Sequence, residues 1–110
     1  MTLLVEDVVP IMMHAAEKPL KKKWPAVSRC AKQQLTHIAE EIAAIEHQRS
    51  RAAIGKDDSR EALDAACGEA VRKLAAVQGI SMQTARTAVN GALSAITSMV
   101  NSTLGYHLIE

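Results

Sequence analysis

Residues 81–104 read SMQTARTAVNGALSAITSMVNSTL, and this stretch decides how the chain folds. At about 100° per residue, Met82, Ala85, Val89, Leu93, Ile96, Val100 and Leu104 fall on one narrow stripe. Their spacing alternates between three and four residues, which is helical and not strand-like. A second stripe holds Thr84, Ala88, Gly91, Ala95, Ser98 and Ser102, all of them small. Ala92, Met99 and Thr103 lie between the two, and Gln83, Arg86, Thr87, Asn90, Ser94, Thr97 and Asn101 fill the remaining wedge. A helix that is apolar or small over about two thirds of its circumference is normally surrounded by protein. The pattern predicts a central bundle helix with one neighbour on the large stripe and another on the small one. Residues 87–109 contain no Asp, Glu, Lys or Arg, which is long enough for a membrane span. Asn90, Asn101, His107 and the many hydroxyls dilute the stretch too far for lipid, and no span is expected.

Working outward, the chain supplies helices for this one to pack against. Asp58, followed by Glu61, has the pattern of a capping box and starts a helix over 58–78. Leu63, Ala66, Cys67, Ala70, Val71, Leu74 and Val77 form its buried face. Gly79 stops it, Ser81 caps the next helix, and Ile80 staples onto the first turn. Upstream, Ala31, Leu35, Ile38, Ile42 and Ile45 alternate by four and three, the seam of a long helix over 26–54 with Gly55 as its C-cap. A first helix fits 7–18, with Asp7 as N-cap, Pro10 in the first turn and Pro19 as the stop. Gly105 ends the last helix. The tail Tyr106, His107, Leu108, Ile109 is too apolar to float, and is expected to dock on the bundle or on another subunit.

Residues 19–25 form a basic linker bracketed by Pro19 and Pro25. Lys18, Lys21, Lys22, Lys23, Arg29 and Lys32 occur with no acidic residue between Glu17 and Glu40. Such a run fits contact with phosphate, and equally a solvated loop with Trp24 tucked onto the bundle. Over the whole chain the formal net charge is only +1, so no general field draws it to nucleic acid or membrane. Trp24 and Tyr106 are the only aromatics, which leaves an aliphatic core and argues against a base-stacking surface. Cys30 and Cys67 both lie at apolar helical positions and read as reduced, buried thiols of a cytoplasmic protein. The first five residues carry no Lys or Arg, and Glu6 and Asp7 follow, so no signal peptide is expected. The fold expectation is all-α: one antiparallel, four-helix bundle-like domain over 1–110, with a long central C-terminal helix.

Few constellations point to chemistry. His37, Glu40, Glu41 and His47 share about a third of one helix circumference. Di-metal bundles use Glu-x-x-His from several helices, projecting inward, whereas here the order is His37-x-x-Glu40, it occurs once, and the face points away from the seam. A solvated polar face explains it, with a metal-binding bundle as a minor alternative. His14 and His107 are lone histidines. No phosphate loop, paired cysteines or nucleophile motif is present, so neither enzyme activity nor a cofactor is expected.

Residues 74–89, LAAVQGISMQTARTAV, carry Ala75, then Gly79, Ile80 and Ser81 at a corner, then Thr84. This resembles the helix-turn-helix of bacterial DNA-binding regulators. The resemblance implies that Ala75 lets two helices cross closely and that Gly79 takes a left-handed turn. Met82, Gln83, Arg86, Thr87 and Asn90 would then face the major groove, helped by Lys21, Lys22 and Lys23. Two features depart from the family: Ala85 stands where a larger residue is usual, and the second helix is far longer than a recognition helix. Two functional expectations result. The first is a non-enzymatic interaction protein that assembles with itself or a protein partner through Ala88, Gly91, Ala95, Ser98, Tyr106, Leu108 and Ile109. The second is a DNA-binding regulator.

Overall fold

The computed structural model describes residues 4–50, 55–77, 79–105 and 108–109. The expected end of the second helix at 51–54, and the tail residues Tyr106 and His107, lie outside them. The elements are α1 (Val5–Leu20), a 3-10 turn (Lys21–Lys23), α2 (Trp24–Ser50), α3 (Lys56–Ala75) and α4 (Met82–Leu104). Among the described residues the fold is all-α, as the periodicity predicts. The 27 residues of α2 rise about 40 Å and so span the 42 Å long axis of the molecule.

Sequential helices fold back on one another. Helices α1 and α2 join around Lys21–Lys23, yet Val9 and Pro10 still share a groove with Lys32 and Thr36. The Cys30 thiol reaches the Lys73 carbonyl at 3.8 Å, and residues farther along α2 meet earlier residues of α3. Residues 67–72 of α3 and 82–90 of α4 likewise flank one furrow. Each neighbour therefore runs antiparallel, and α4 closes the ring against α1. That closure is the most extensive helix–helix contact, with Gly91 set against the Ala15 carbonyl. Proline at 19 has no N–H to bond that carbonyl, so α1 presents a bare oxygen to α4 at this point.

Burial follows the predicted stripes. Ala31, Leu35, Ile38, Ile42 and Ile45 are all buried, as are Ala85, Val89, Ile96 and Val100. Leu93 and Leu104 are half-buried, and Met82 is 50% exposed. The small stripe is covered only in part. Ala88 is buried and Gly91 half-buried, but Ala95, Ser98 and Ser102 are exposed. Helix α4 thus has a neighbour on the large stripe from Ala85 onward, and on the small stripe only over its first half.

Several expected boundaries are displaced. Helix α1 starts at Val5, not after an Asp7 cap: the Asp7 and Val8 amides already donate to the Leu4 carbonyl. Half-buried Val5 extends the apolar stripe, and Glu6 and Asp7 sit in the first turn, where carboxylates suit the positive helix end. Pro10 consequently lies inside the helix. Pro19 does not stop α1, because buried Leu20 holds one more residue on the bundle. The reversal falls at Lys21, at φ 44, and the expected 19–25 linker shrinks to the 3-10 turn. Gly55 is the N-cap of α3, in extended conformation, and not a C-cap. Its carbonyl accepts both the amide and the hydroxyl of fully buried Ser59, which fixes the helix start ahead of Asp58. Helix α3 ends at Ala75, and a short turn carries the chain to Gly79. The two cysteines are half-buried free thiols, less enclosed than expected.

Candidate functional site

The corner between α3 and α4 is built by local chemistry. Gly79 takes φ 89, the left-handed region that glycine enters without strain. Ile80 is buried beneath the turn. Ser81 caps α4: its Oγ accepts from the Thr84 amide at 3.1 Å and donates to Thr84 Oγ1 at 2.9 Å. The side chain of Lys23 lies over this corner, so close that a Cβ at Gly79 would stand 2.9 Å from its Nζ. The lysines of the α1–α2 turn and the α3–α4 turn therefore share one end of the bundle, and Lys21, Lys22 and Lys23 are all exposed.

Gln83, Arg86, Thr87 and Asn90 are exposed on the first turns of α4. The Thr87 hydroxyl donates to the Gln83 carbonyl at 2.9 Å, so its hydrogen is engaged within the helix. Arg86 and Asn90 face Cys67, Gly68 and Arg72 across a furrow of about 300 Å³ between α3 and α4. Burial pushes the Cys67 thiol up to about 11, and Asp64 adds to the rise. The antiparallel run of α3 along α4 differs from the 90–120° crossing of a DNA-binding helix-turn-helix.

The other predicted interface residues are distributed differently. Ala88 is spent inside the bundle, and Gly91 against α1. Leu108 and Ile109 are buried, held by one side chain that sequence reasoning left in the polar wedge. Asn101 Oδ1 accepts from the Leu108 and Ile109 amides at 3.0 and 3.1 Å, and its Nδ2 donates to the Ile109 carbonyl at 2.9 Å. Leu108 and Ile109 thus dock on their own chain, and the surface left open on the second half of α4 is Ser94, Ala95, Ser98, Met99 and Ser102.

His37, Glu40 and Glu41 line an open depression between α2 and α3, together with Gln34, Ala62, Ala65, Ala66 and Glu69. His47 lies beyond it. Among the described residues no three His, Cys, Asp or Glu side chains come together closely enough to hold a metal ion. Two members of this depression, Gln34 and Glu69, had no distinguishing sequence signal. Gln34 follows another glutamine at the edge of the seam, and Glu69 reads as one more charge on a wet face.

Among the described residues no helix is long and apolar enough to cross a membrane. No protein-family model, no curated protein and no solved structure matches the chain.

Proposed function

We propose that this chain is a non-enzymatic helical interaction protein of the cytoplasm, assembling with a second copy of itself or a protein partner through the outer face of α4. One observation carries this reading: from Thr87 onward α4 has no charged side chain, yet Ser94, Ala95, Ser98, Met99 and Ser102 are exposed. Solvent-facing helix surfaces normally carry charge, and small uncharged residues let another backbone approach closely. The antiparallel register at Ala15 and Gly91 brings exposed Ile11 level with Ala95, and exposed Leu4 level with Ser102, widening the uncharged strip. Leu108 and Ile109 belong to the core and leave this surface to α4. The test is molecular mass in solution over a wide concentration range, for the wild type and for Ala95→Arg and Ser98→Glu. Both positions are exposed, so neither substitution places a charge in the core. The expected result is a wild-type oligomer that either substitution dissociates. A strictly monomeric wild type overturns self-association.

A second reading, a DNA-binding regulator, is favoured by the position of Lys23 over Gly79, with Gln83, Arg86 and Asn90 exposed beside it. The antiparallel packing of α3 along the recognition stretch weakens it, which is why it ranks second. Duplex DNA binding that falls steeply with salt and is lost in Arg86→Ala supports this reading. No binding at low salt removes it.

A further inference from the structure

The α2–α3 depression has features that the assembly reading does not use. Its volume is about 530 Å³, and its acidic members are Glu40, Glu41 and Glu69. No Lys or Arg lines it, and among the described residues none of these three carboxylates takes part in an ion pair. Gln34 supplies an independent observation. It is 9% exposed, it lines the same depression, and its side-chain amide has no hydrogen-bond partner among the described residues. A buried amide without a partner costs about 1–3 kcal/mol, so such groups are normally matched by a protein atom, a water or a ligand.

The layout narrows the ligand. Antiparallel packing sets Gln34 at the level of Glu69, and Glu41 one seven-residue step farther along α2, about 10 Å away at 1.5 Å per residue. Ala62, Ala65 and Ala66 form an apolar wall along that interval. Acceptors thus stand at two ends, and an aliphatic floor lies between. We propose that this depression binds a linear aliphatic polyamine. One terminal ammonium group donates to Glu69 and the Gln34 carbonyl oxygen, the other to Glu41 and Glu40, and the methylenes cover the alanines. A compact dication does not match two separated acidic ends, and a monoamine fills only one of them.

The test is a titration of the isotope-labelled full chain with spermidine, n-butylamine and magnesium, followed by amide NMR. Expected are saturable shifts for the Gln34 side-chain NH₂ and for the backbone of Ala62 and Ala66 with spermidine, persisting at physiological salt. Glu41→Gln and Glu69→Gln each weaken binding about three- to fivefold, as loss of one exposed ion pair does. Asp7→Asn, an equal charge change on α1, leaves affinity unchanged. Equal response to magnesium or butylamine overturns the proposal, as does equal weakening by Asp7→Asn or the absence of saturation.

Discussion

At Asn101 one side chain decides whether the tail belongs to the fold. Its amide closes three hydrogen bonds with Leu108 and Ile109, whose side chains complete the core. Asn101→Ala leaves two backbone amides and a carbonyl in partly buried surroundings. The expected loss is about 1–3 kcal/mol by urea denaturation. A change indistinguishable from zero means the tail is held by its apolar side chains alone. Cys67 gives a second residue-scale test. Its thiol, raised to about 11 from an ordinary 9.0, stays protonated at pH 8, so alkylation is slower than in the urea-unfolded chain. The sign of the accompanying pH effect follows from linkage. The folded chain holds this proton more tightly, so the contribution is full below about pH 9 and is lost as pH rises towards 11. Cys67→Ser reduces the steepness of the alkaline decline over that window, and an unchanged curve contradicts the burial effect.

Among the elements, the contact between α1 and α4 rests on Gly91. A Cβ there would meet the Ala15 carbonyl at 3.7 Å, an ordinary van der Waals distance. Alanine also suits a helix interior better than glycine by about 1 kcal/mol. Gly91→Ala is therefore expected to raise stability by about 0.5–1 kcal/mol, whereas Gly91→Leu forces the helices apart and costs about 1–3 kcal/mol. Thermal unfolding of the pair checks both signs, and destabilisation by alanine would show that the backbones need their present separation. The helix ends show how far sequence reaches. Ser81, Gly79 and Gly105 were legible, because a hydroxyl cap and a left-handed glycine are local chemistry. The starts at Val5 and Gly55 and the passage of α1 through Pro19 were not, because burial of Val5, Ser59 and Leu20 outweighs local preference. In the candidate surfaces, exposure of Gln83 and Arg86 follows from the helical wheel, whereas that of Ala95 and Ser98 does not, because the pattern predicts a neighbouring helix along the whole small stripe. The meeting of Gln34 and Glu69 in one depression does not follow from it either, since it depends on the register between α2 and α3.

For the molecule as a whole, every helix contributes to one contiguous core. Unfolding is expected to be a single cooperative event. Trp24, half-buried where α2 begins, reports on one end, and far-ultraviolet circular dichroism reports on all four helices. Their urea transitions coincide if the bundle melts as a unit. Separate midpoints would show that one helical hairpin opens before the other.

The ring of antiparallel helices has a topological consequence. Since α1 runs towards the lysine turn and α4 runs away from the Gly79 corner beside it, α1 begins and α4 finishes at the opposite end of the bundle. The chain is therefore suited to circular permutation. A flexible bridge from the end of α4 to the start of α1, with a new opening among Lys21, Lys22 and Lys23, reorders the helices along the chain. It leaves the core contacts in place, and frees the basic end of the molecule to carry a fused domain.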